Sequence, residues 1–362
     1  MPNKPFFLPT MLLPSSPFVY SFLLLLSLFL IFLFGPQILP AKSQHPGIST
    51  ADEIEDLALF HRASVTTSNT ISHLGITNPR PKIAFLFLTN TDLPFAPLWD
   101  RFFNNNQNLY NIYIHTDPLR KLSFPTNSLL KSRFVIPSKP TARASPTLIS
   151  AARRLLANAL IDDPLNLYFA LVSQSCIPLH SFHYIYHSLF GNSTLNAFAT
   201  QHKHKSYIEI LANEPTLQDR YDARGHNVML PEIPFEEFRV GSQFFTLSKR
   251  HALMVIKERK LWRKFRLPCI NTDSCYPEEH YFPTFLSMKD PRGCTHYTLT
   301  RVNWTDSVGG HPHLYGALEV TPRLVYSLRQ SNSTYSHFFA RKFSQDCLES
   351  LLEIADRVIF KD

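Results

Sequence analysis

Two uninterrupted apolar runs constrain this chain most. Ile83-Ala-Phe-Leu-Phe-Leu88 and Leu167-Tyr-Phe-Ala-Leu-Val172 contain no charge and no turn-former. A short strand covered on both faces reads as continuous rather than alternating hydrophobicity, so each run predicts a central strand. Tyr110-Asn-Ile-Tyr-Ile114 predicts another, ending in His115-Thr-Asp117-Pro118, and Phe134-Val-Ile136 a short one. Helices fit between them. Leu98–Phe103 reads as part of one. Ser145-Pro146 supplies an N-cap and a first-turn proline for a helix running to Ile161, where Asp163-Pro164 stops it. Ser181 caps a short helix that Gly191 ends. Strands alternating with helices over short links predict an α/β fold, a mixed and mainly parallel sheet flanked by helices. In such sheets ligands collect at the carboxyl ends of strands, where His115, Asp117, Ser173 and Ser175 lie.

Residues 202–240 are polar, basic and interrupted by proline, an excursion able to shape a cleft. Val240–Leu247 predicts a strand, Ser248 a cap for a helix from Lys249 to Phe265, and Tyr297–Val302 a further strand. A last amphipathic helix is predicted over Cys347–Ile359, behind Ser344, with Leu348, Leu351, Leu352, Ala355 and Ile359 on one face.

The N-terminus is of another kind. Phe18 to Phe34 is seventeen residues without a charge. As a helix it extends about 25 Å at 1.5 Å per residue, enough for a thin bilayer. A cleaved secretory signal is the alternative, but no small-x-small site follows the run. The expected organisation is a short cytosolic tail (1–17), a single transmembrane signal anchor (18–34), a polar stem (35–81) with a possible short helix over Asp52–Arg62, and a lumenal body (82–362). Three N-x-[ST] triplets, at Asn192, Asn303 and Asn332, fit glycosylation of a lumenal body. Five cysteines fit an oxidising compartment without forming a disulfide scaffold, and Cys269, Cys275 and Cys294 lie close enough in sequence for one local bridge. The formal charge of +8 is not gathered into a basic run, which argues against nucleic acid and suits an anionic small substrate.

Pro268 to Met288 holds the sharpest chemical feature. Two cysteines and Pro277 fix a loop, and Glu278 and Glu279 follow at the expected first turn of a helix. Helix N-termini favour negative charge. Adjacent helical residues point about 100° apart, so one of the pair at most is expected to face a given cleft. The plain reading is two solvated first-turn acids; the functional reading is one general base.

Five motifs then occur in order: Ile114-His-Thr-Asp117, Ser173-Gln-Ser-Cys-Ile-Pro-Leu179, Gly241-Ser-Gln-Phe-Phe245, Pro277-Glu-Glu279 and Phe339-Ala-Arg-Lys-Phe343. The series resembles the plant branch of the core-2/I-branching β-1,6-N-acetylglucosaminyltransferase family, glycosyltransferase family 14, over roughly residues 80 to 360. The resemblance implies a GT-A type, Rossmann-like fold and a Golgi type II membrane protein. It implies inverting transfer of an N-acetylglucosamine-like sugar from a UDP-sugar donor to a glycan or glycoprotein acceptor. It makes Glu279 the catalytic base. Arg323 and Lys342 correspond to the basic pair on the donor diphosphate; the strand-end residues His115, Asp117 and Ser173 are expected to line the donor site. Trp304, Glu278 and Ser242 fall to the acceptor side. Ala152-Arg153-Arg154 departs from many plant relatives, which carry an acid before the arginines.

The chemistry also follows from the residues. Inverting transfer needs one base and a stabilised leaving diphosphate. No Asp-x-Asp occurs in the chain, so no metal or other cofactor is expected, and arginine and lysine must meet the developing charge. A different donor on the same frame, such as xylose or glucuronic acid, and a non-catalytic lumenal glycan-binding protein are the alternatives. Individually, Arg323 and Lys342 read equally as surface charges, His115 as a packed strand-end histidine, Asp117 as a turn former and Trp304 as core.

Overall fold

A computed structural model describes residues 17–38, 47–69, 80–118, 122–123, 128–132, 134–191, 203–305, 307 and 309–362. The helices are α1 (Pro17–Ile38), α2 (Thr50–Asn69), α3 (Ala96–Phe103), α4 (Pro146–Asp162), α5 (Phe182–Phe190), α6 (Leu217–Tyr221), α7 (Lys249–Lys257), α8 (Trp262–Phe265), α9 (Pro277–Lys289), α10 (Pro322–Arg329) and α11 (Leu348–Ile354). The strands are β1 (Lys82–Thr89), β2 (Tyr110–Thr116), β3 (Phe134–Val135), β4 (Asn166–Ser173), β5 (Ile177–Pro178), β6 (Ser206–Glu209), β7 (Thr246–Ser248), β8 (Cys294–His296), β9 (Thr300–Val302) and β10 (Phe339–Arg341).

Seven strands form one sheet in the order β3-β2-β1-β4-β7-β6-β8. The pairs β1–β2, β1–β4 and β2–β3 are parallel, and β7 runs antiparallel to both β4 and β6. A second sheet, β5-β10-β9, has three strands. The expected mixed, mainly parallel α/β sheet flanked by helices is therefore present.

The apolar runs form its centre because both faces are covered. Ile83, Phe85 and Phe87 of β1 enter one core; Ala84, Leu86 and Leu88 enter the other. On the first face Phe85 meets the edges of Phe103 and Trp99 of α3, with ring centroids 4.9 and 6.1 Å away. On the second face lie α4, α7 and α9. Ser145 caps α4 as expected, its hydroxyl accepting from Thr147 N–H, and Gly191 ends α5 with φ of 72°. Other boundaries shift. The helix expected from Lys249 to Phe265 breaks into α7 and α8, and the last helix relaxes into a π-turn over Ala355–Ile359.

The stretch expected as a polar stem differs most. The compact unit that holds the sheet begins at Pro46, not near 82. Within it α2 packs on α4 through buried Phe60 and Ala63. The Arg154 guanidinium grips both oxygens of Asp56, at 2.5 and 2.8 Å, and both residues are buried. Burial pushes the Asp56 carboxyl upward, and Arg154 pulls it back. The Arg153 guanidinium stacks 4.6 Å from the Phe60 ring and donates to the Glu258 carbonyl at 2.6 Å. Lys139 pairs with Asp52 and Glu55, and Arg266 with Glu53. The second basic residue of Ala152-Arg153-Arg154 thus anchors α2 and takes no part in the cleft.

The helix α1 belongs to a separate unit and exposes Phe18, Phe22, Leu24, Leu25 and Phe29 among other apolar side chains. Among the described residues no helix is long and apolar enough to cross a membrane. The expected spanning anchor over 18–34 is therefore not supported in that form.

Removing Asp56 would strand a buried guanidinium. Asp56→Ala is expected to lower the unfolding free energy by about 3–5 kcal/mol, read from denaturant midpoints. Asp52→Ala, which loses a more exposed partner, is expected to cost less than about 1 kcal/mol. Equal small effects would mean that α2 contributes nothing to the body.

Candidate active site

The site is built around the first turn of α9. A Cys269–Cys275 disulfide closes the loop ahead of it, and the Ile270 and Asn271 N–H groups both donate to the Ala223 carbonyl. Among the described residues Cys176, Cys294 and Cys347 are free and buried. Pro277 opens the helix, as its fixed φ and missing N–H allow. The two acids then part company. Glu278 is 4% exposed; its Oε1 accepts from Ala144 N–H at 3.0 Å, and its Oε2 has no partner among the described residues. Burial pushes its carboxyl up to about 8. Glu279 is half-buried, and its Oε2 accepts from Arg220 Nη1 at 3.0 Å. Burial raises this carboxyl above the ordinary range, and Arg220 opposes the shift.

Residues 240–244 form another wall; of the strand expected over Val240–Leu247 only β7 (Thr246–Ser248) is present, and Val240 makes an isolated bridge to Leu211. Gly241 N–H donates to the Glu279 carbonyl at 2.9 Å. A Cβ on Gly241 would fall 2.0 Å from the Glu209 carbonyl oxygen, so only glycine permits this approach. Glu209 returns the contact, its Oε2 accepting from Ser242 N–H at 2.9 Å. Burial raises the Glu209 carboxyl, and Glu279 raises it further.

Two cavities meet here. The first, about 270 Å³, lies at the carboxyl ends of β1 and β4, against Thr89, Ser173, Arg143, Glu278 and Lys342. The second, about 550 Å³, lies against Glu209, Arg220, Ser242 and Arg301. Gln243, Phe244, Glu279, Trp304, Gly310 and Arg341 line both. The expectation that residues 202–240 shape a cleft holds.

Arg143, Arg341 and Lys342 line the first cavity; Arg220, Arg301 and again Arg341 line the second. The Arg341 guanidinium lies 4.3 Å from the centre of the Phe244 ring, and its buried Nε has no partner among the described residues. Burial lowers the Lys342 pKa, and the neighbouring charges of Arg341 and Arg143 lower it further. Arg143 spans the cleft mouth, donating to the Gly310 carbonyl at 2.6 Å and meeting His311 Nε2 at 2.7 Å. Burial and then the three cations hold His311 below its usual pKa, so its neutral ring accepts from Arg143. Such a pocket favours a multiply charged anion. Among the described residues no group of three or more His, Cys, Asp or Glu side chains could hold a metal ion.

The structure brings together Glu279, Glu278, Lys342, Ser173, Trp304 and Ser242, and leaves three expected residues outside. His115 is fully buried, accepts from Lys139 N–H at 3.4 Å, and is held neutral by burial at about 3. It is a packing residue. Asp117 follows β2 and lines neither cavity. Arg323 sits exposed in the first turn of α10, also away from both, whereas Arg341, beside Lys342, lines both. Glu278, expected on the acceptor side together with Ser242, lines the first cavity, whereas Ser242 lines the second. Both acids line the first cavity because it wraps around the helix terminus, wider than one helical face. Of the sequon asparagines, Asn332 is exposed and Asn303 half-buried, its Oδ1 accepting from Thr305 N–H at 3.0 Å; Asn192 lies outside the described residues.

Residues 83–329 match the family model of the Core-2/I-Branching enzyme. The chain belongs to the Core-2/I-branching enzyme family. Glycosyltransferase BC10 of Oryza sativa subsp. japonica is 30% identical over 292 residues, which cover 72% of this chain and 69% of that protein. The chain is therefore a glycosyltransferase. Four residues of this glycosyltransferase's cleft, Arg143, Glu209, Arg220 and Arg341, escape a reading of the sequence. Of these only Arg341 had a signal, since it neighbours Lys342 inside a recognisable motif.

Gly241→Ala is expected to push the 240–243 segment away from Glu209 and Glu279. A loss of at least about 1–3 kcal/mol should appear in thermal unfolding, with activity falling too. An unchanged melting temperature would contradict the close approach.

Proposed function

We propose that this glycosyltransferase moves an N-acetylglucosamine-like sugar, with inversion, from a UDP-sugar in the first cavity to a glycan or glycoprotein acceptor in the second. The observation that carries the reading is that Glu279 lies on the wall common to both cavities. A base for direct transfer must stand between donor and acceptor. Arg220 holds Oε2 and leaves Oε1 for the acceptor hydroxyl. Glu279 takes the hydroxyl proton as that oxygen attacks the anomeric carbon from the face opposite the diphosphate. The bond to the diphosphate breaks, and its electron pair leaves with the diphosphate oxygen. Arg341 and Lys342 meet that charge in a partly desolvated pocket, where preorganised cations act most strongly. The reading assigns this task to the two side chains and not to a metal. The identity of the sugar rests on the family resemblance alone.

Location belongs to the same reading: a Golgi type II membrane protein with its body in the lumen. The support is the uncharged run 18–34, the exposed apolar side chains of α1 and the sequons of the body. Expressed protein is expected to resist carbonate extraction from membranes and to gain gel mobility after glycosidase treatment. A freely extracted, unshifted protein would overturn the location.

Glu279→Gln is expected to lower transfer by about 10²–10⁴-fold with donor binding retained. The base must be ionised, so activity should rise with pH through a carboxyl titrating above the ordinary glutamate range. Arg220 holds that value down; Arg220→Gln should therefore move the acid limb to higher pH. Activity should survive excess chelator. Full activity of Glu279→Gln would end the base assignment, and loss in chelator restored by manganese would end the metal-free one.

A further inference from the structure

Glu278 is a carboxyl with one satisfied oxygen and one that is not. Its Oε1 accepts from Ala144 N–H, a group turned toward it because Ala144 takes a positive φ of 53° just ahead of the Ser145 cap of α4. Its Oε2 is buried, partnerless among the described residues, and belongs to a side chain on the first cavity's wall. Leaving a charged oxygen there is costly, because no protein donor meets it and it is largely withdrawn from solvent. A protonated oxygen can instead donate to whatever fills the cavity.

We propose that Glu278 acts as an uncharged carboxylic acid whose Oε2–H donates a hydrogen bond to a neutral oxygen of the nucleotide-sugar donor. The oxygen is a carbonyl of the nucleobase or a hydroxyl of the sugar. This rests on the donor occupying the first cavity. The charged groups facing the carboxyl are Glu279 on α9, Arg143 from the loop before α4, and Arg224 from the turn Asp222–Arg224; Arg220 of α6 engages Glu279 instead. Glu279 disfavours a second negative charge beside it, and Arg143 opposes that effect less than burial enforces it. Neutrality also matters for the ligand. An ionised Glu278 would repel the diphosphate that Arg341 and Lys342 attract, and would raise the carboxyl of the base. The division of labour between adjacent acids follows from their partners. The more deeply buried one, with no cation bonded to it, stays neutral and holds substrate; the one on a guanidinium ionises and takes the proton.

The test is the affinity of the full chain for uridine diphosphate and for the UDP-sugar, measured by calorimetry from pH 6 to pH 10. Glu278→Ala is expected to weaken the UDP-sugar by about tenfold or more, since a buried donor is lost and Ala144 N–H is left open. Glu278→Gln, which can donate and accept in the same positions, should recover most of that loss. In the native protein affinity should fall above about pH 8, approaching tenfold per unit as Glu278 ionises. Lys342 also loses its proton on the alkaline side, so the difference between native and Glu278→Gln profiles is the diagnostic quantity. It should show the early fall in the native protein alone. Weakening of both ligands by Glu278→Ala places the bond on the nucleobase, and weakening of the UDP-sugar alone places it on the sugar. Superimposable native and Glu278→Gln profiles, or a Glu278→Gln variant as weak as Glu278→Ala, would overturn the inference while leaving Glu279 as base. No binding of either ligand to the native protein would overturn this inference together with the donor reading beneath it.

Discussion

The first turn of α9 is held from two sides by backbone groups, and the cleft depends on it. Ala144 N–H reaches the Glu278 carboxyl from one side, and Gly241 N–H reaches the Glu279 carbonyl from the other. Neither contact involves a flexible side-chain donor, so the acids inherit the rigidity of α4 and of the segment leading into β7. The 2.0 Å that would separate a Gly241 Cβ from the Glu209 carbonyl oxygen shows how little slack remains. With the turn fixed, Arg220 can orient one acid and burial can neutralise the other. A two-cavity cleft with a carboxylate on its dividing wall follows.

The loop before α4 ties this turn to the rest of the body. Lys139 anchors its beginning to Asp52 and Glu55 of α2, and its backbone N–H meets buried His115. Four residues later Arg143 crosses the cleft mouth to Gly310 and His311, and Ala144 reaches Glu278. The helix α2 is thus joined through one short loop to the acids, although it lies ahead of the family-matching region. Its buried ion pair with Arg154 makes it part of the folded body.

What was legible in the sequence follows from burial. β1 and β4 are covered on both faces, so their residues are apolar without interruption, and β2 nearly so. Helices with caps and prolines at their ends, α4 and α5, were equally plain. α10 buries only Val325 and Leu328, too few for a period to emerge, and α2 presents a narrow apolar stripe between ion-pairing residues. In the site, Pro277-Glu278-Glu279 was readable because a disulfide loop and a proline announce the helix. Arg143 and Arg220 were not, because a loop or short-helix arginine looks the same in sequence whether it faces solvent or a cleft. Arg323 and Arg341 show the same limit: only Arg341 lies inside the expected motif, and only the fold separates the exposed helix residue from the cleft residue. His115 and Asp117 shared a correct feature, the carboxyl end of a central strand, yet the cleft opens beside β1 and β4 and not beside β2.

The central claim is that one carboxylate divides a donor cavity, charged by Arg341 and Lys342, from an acceptor cavity. A crystal structure of the enzyme with uridine diphosphate tests it most directly. The diphosphate is expected in the first cavity, its oxygens within hydrogen-bonding distance of Arg341 and Lys342, with Glu279 facing the empty second cavity. A diphosphate seated at Arg323, or one bridged to the protein by a metal ion with Arg341 and Lys342 turned away, would contradict it.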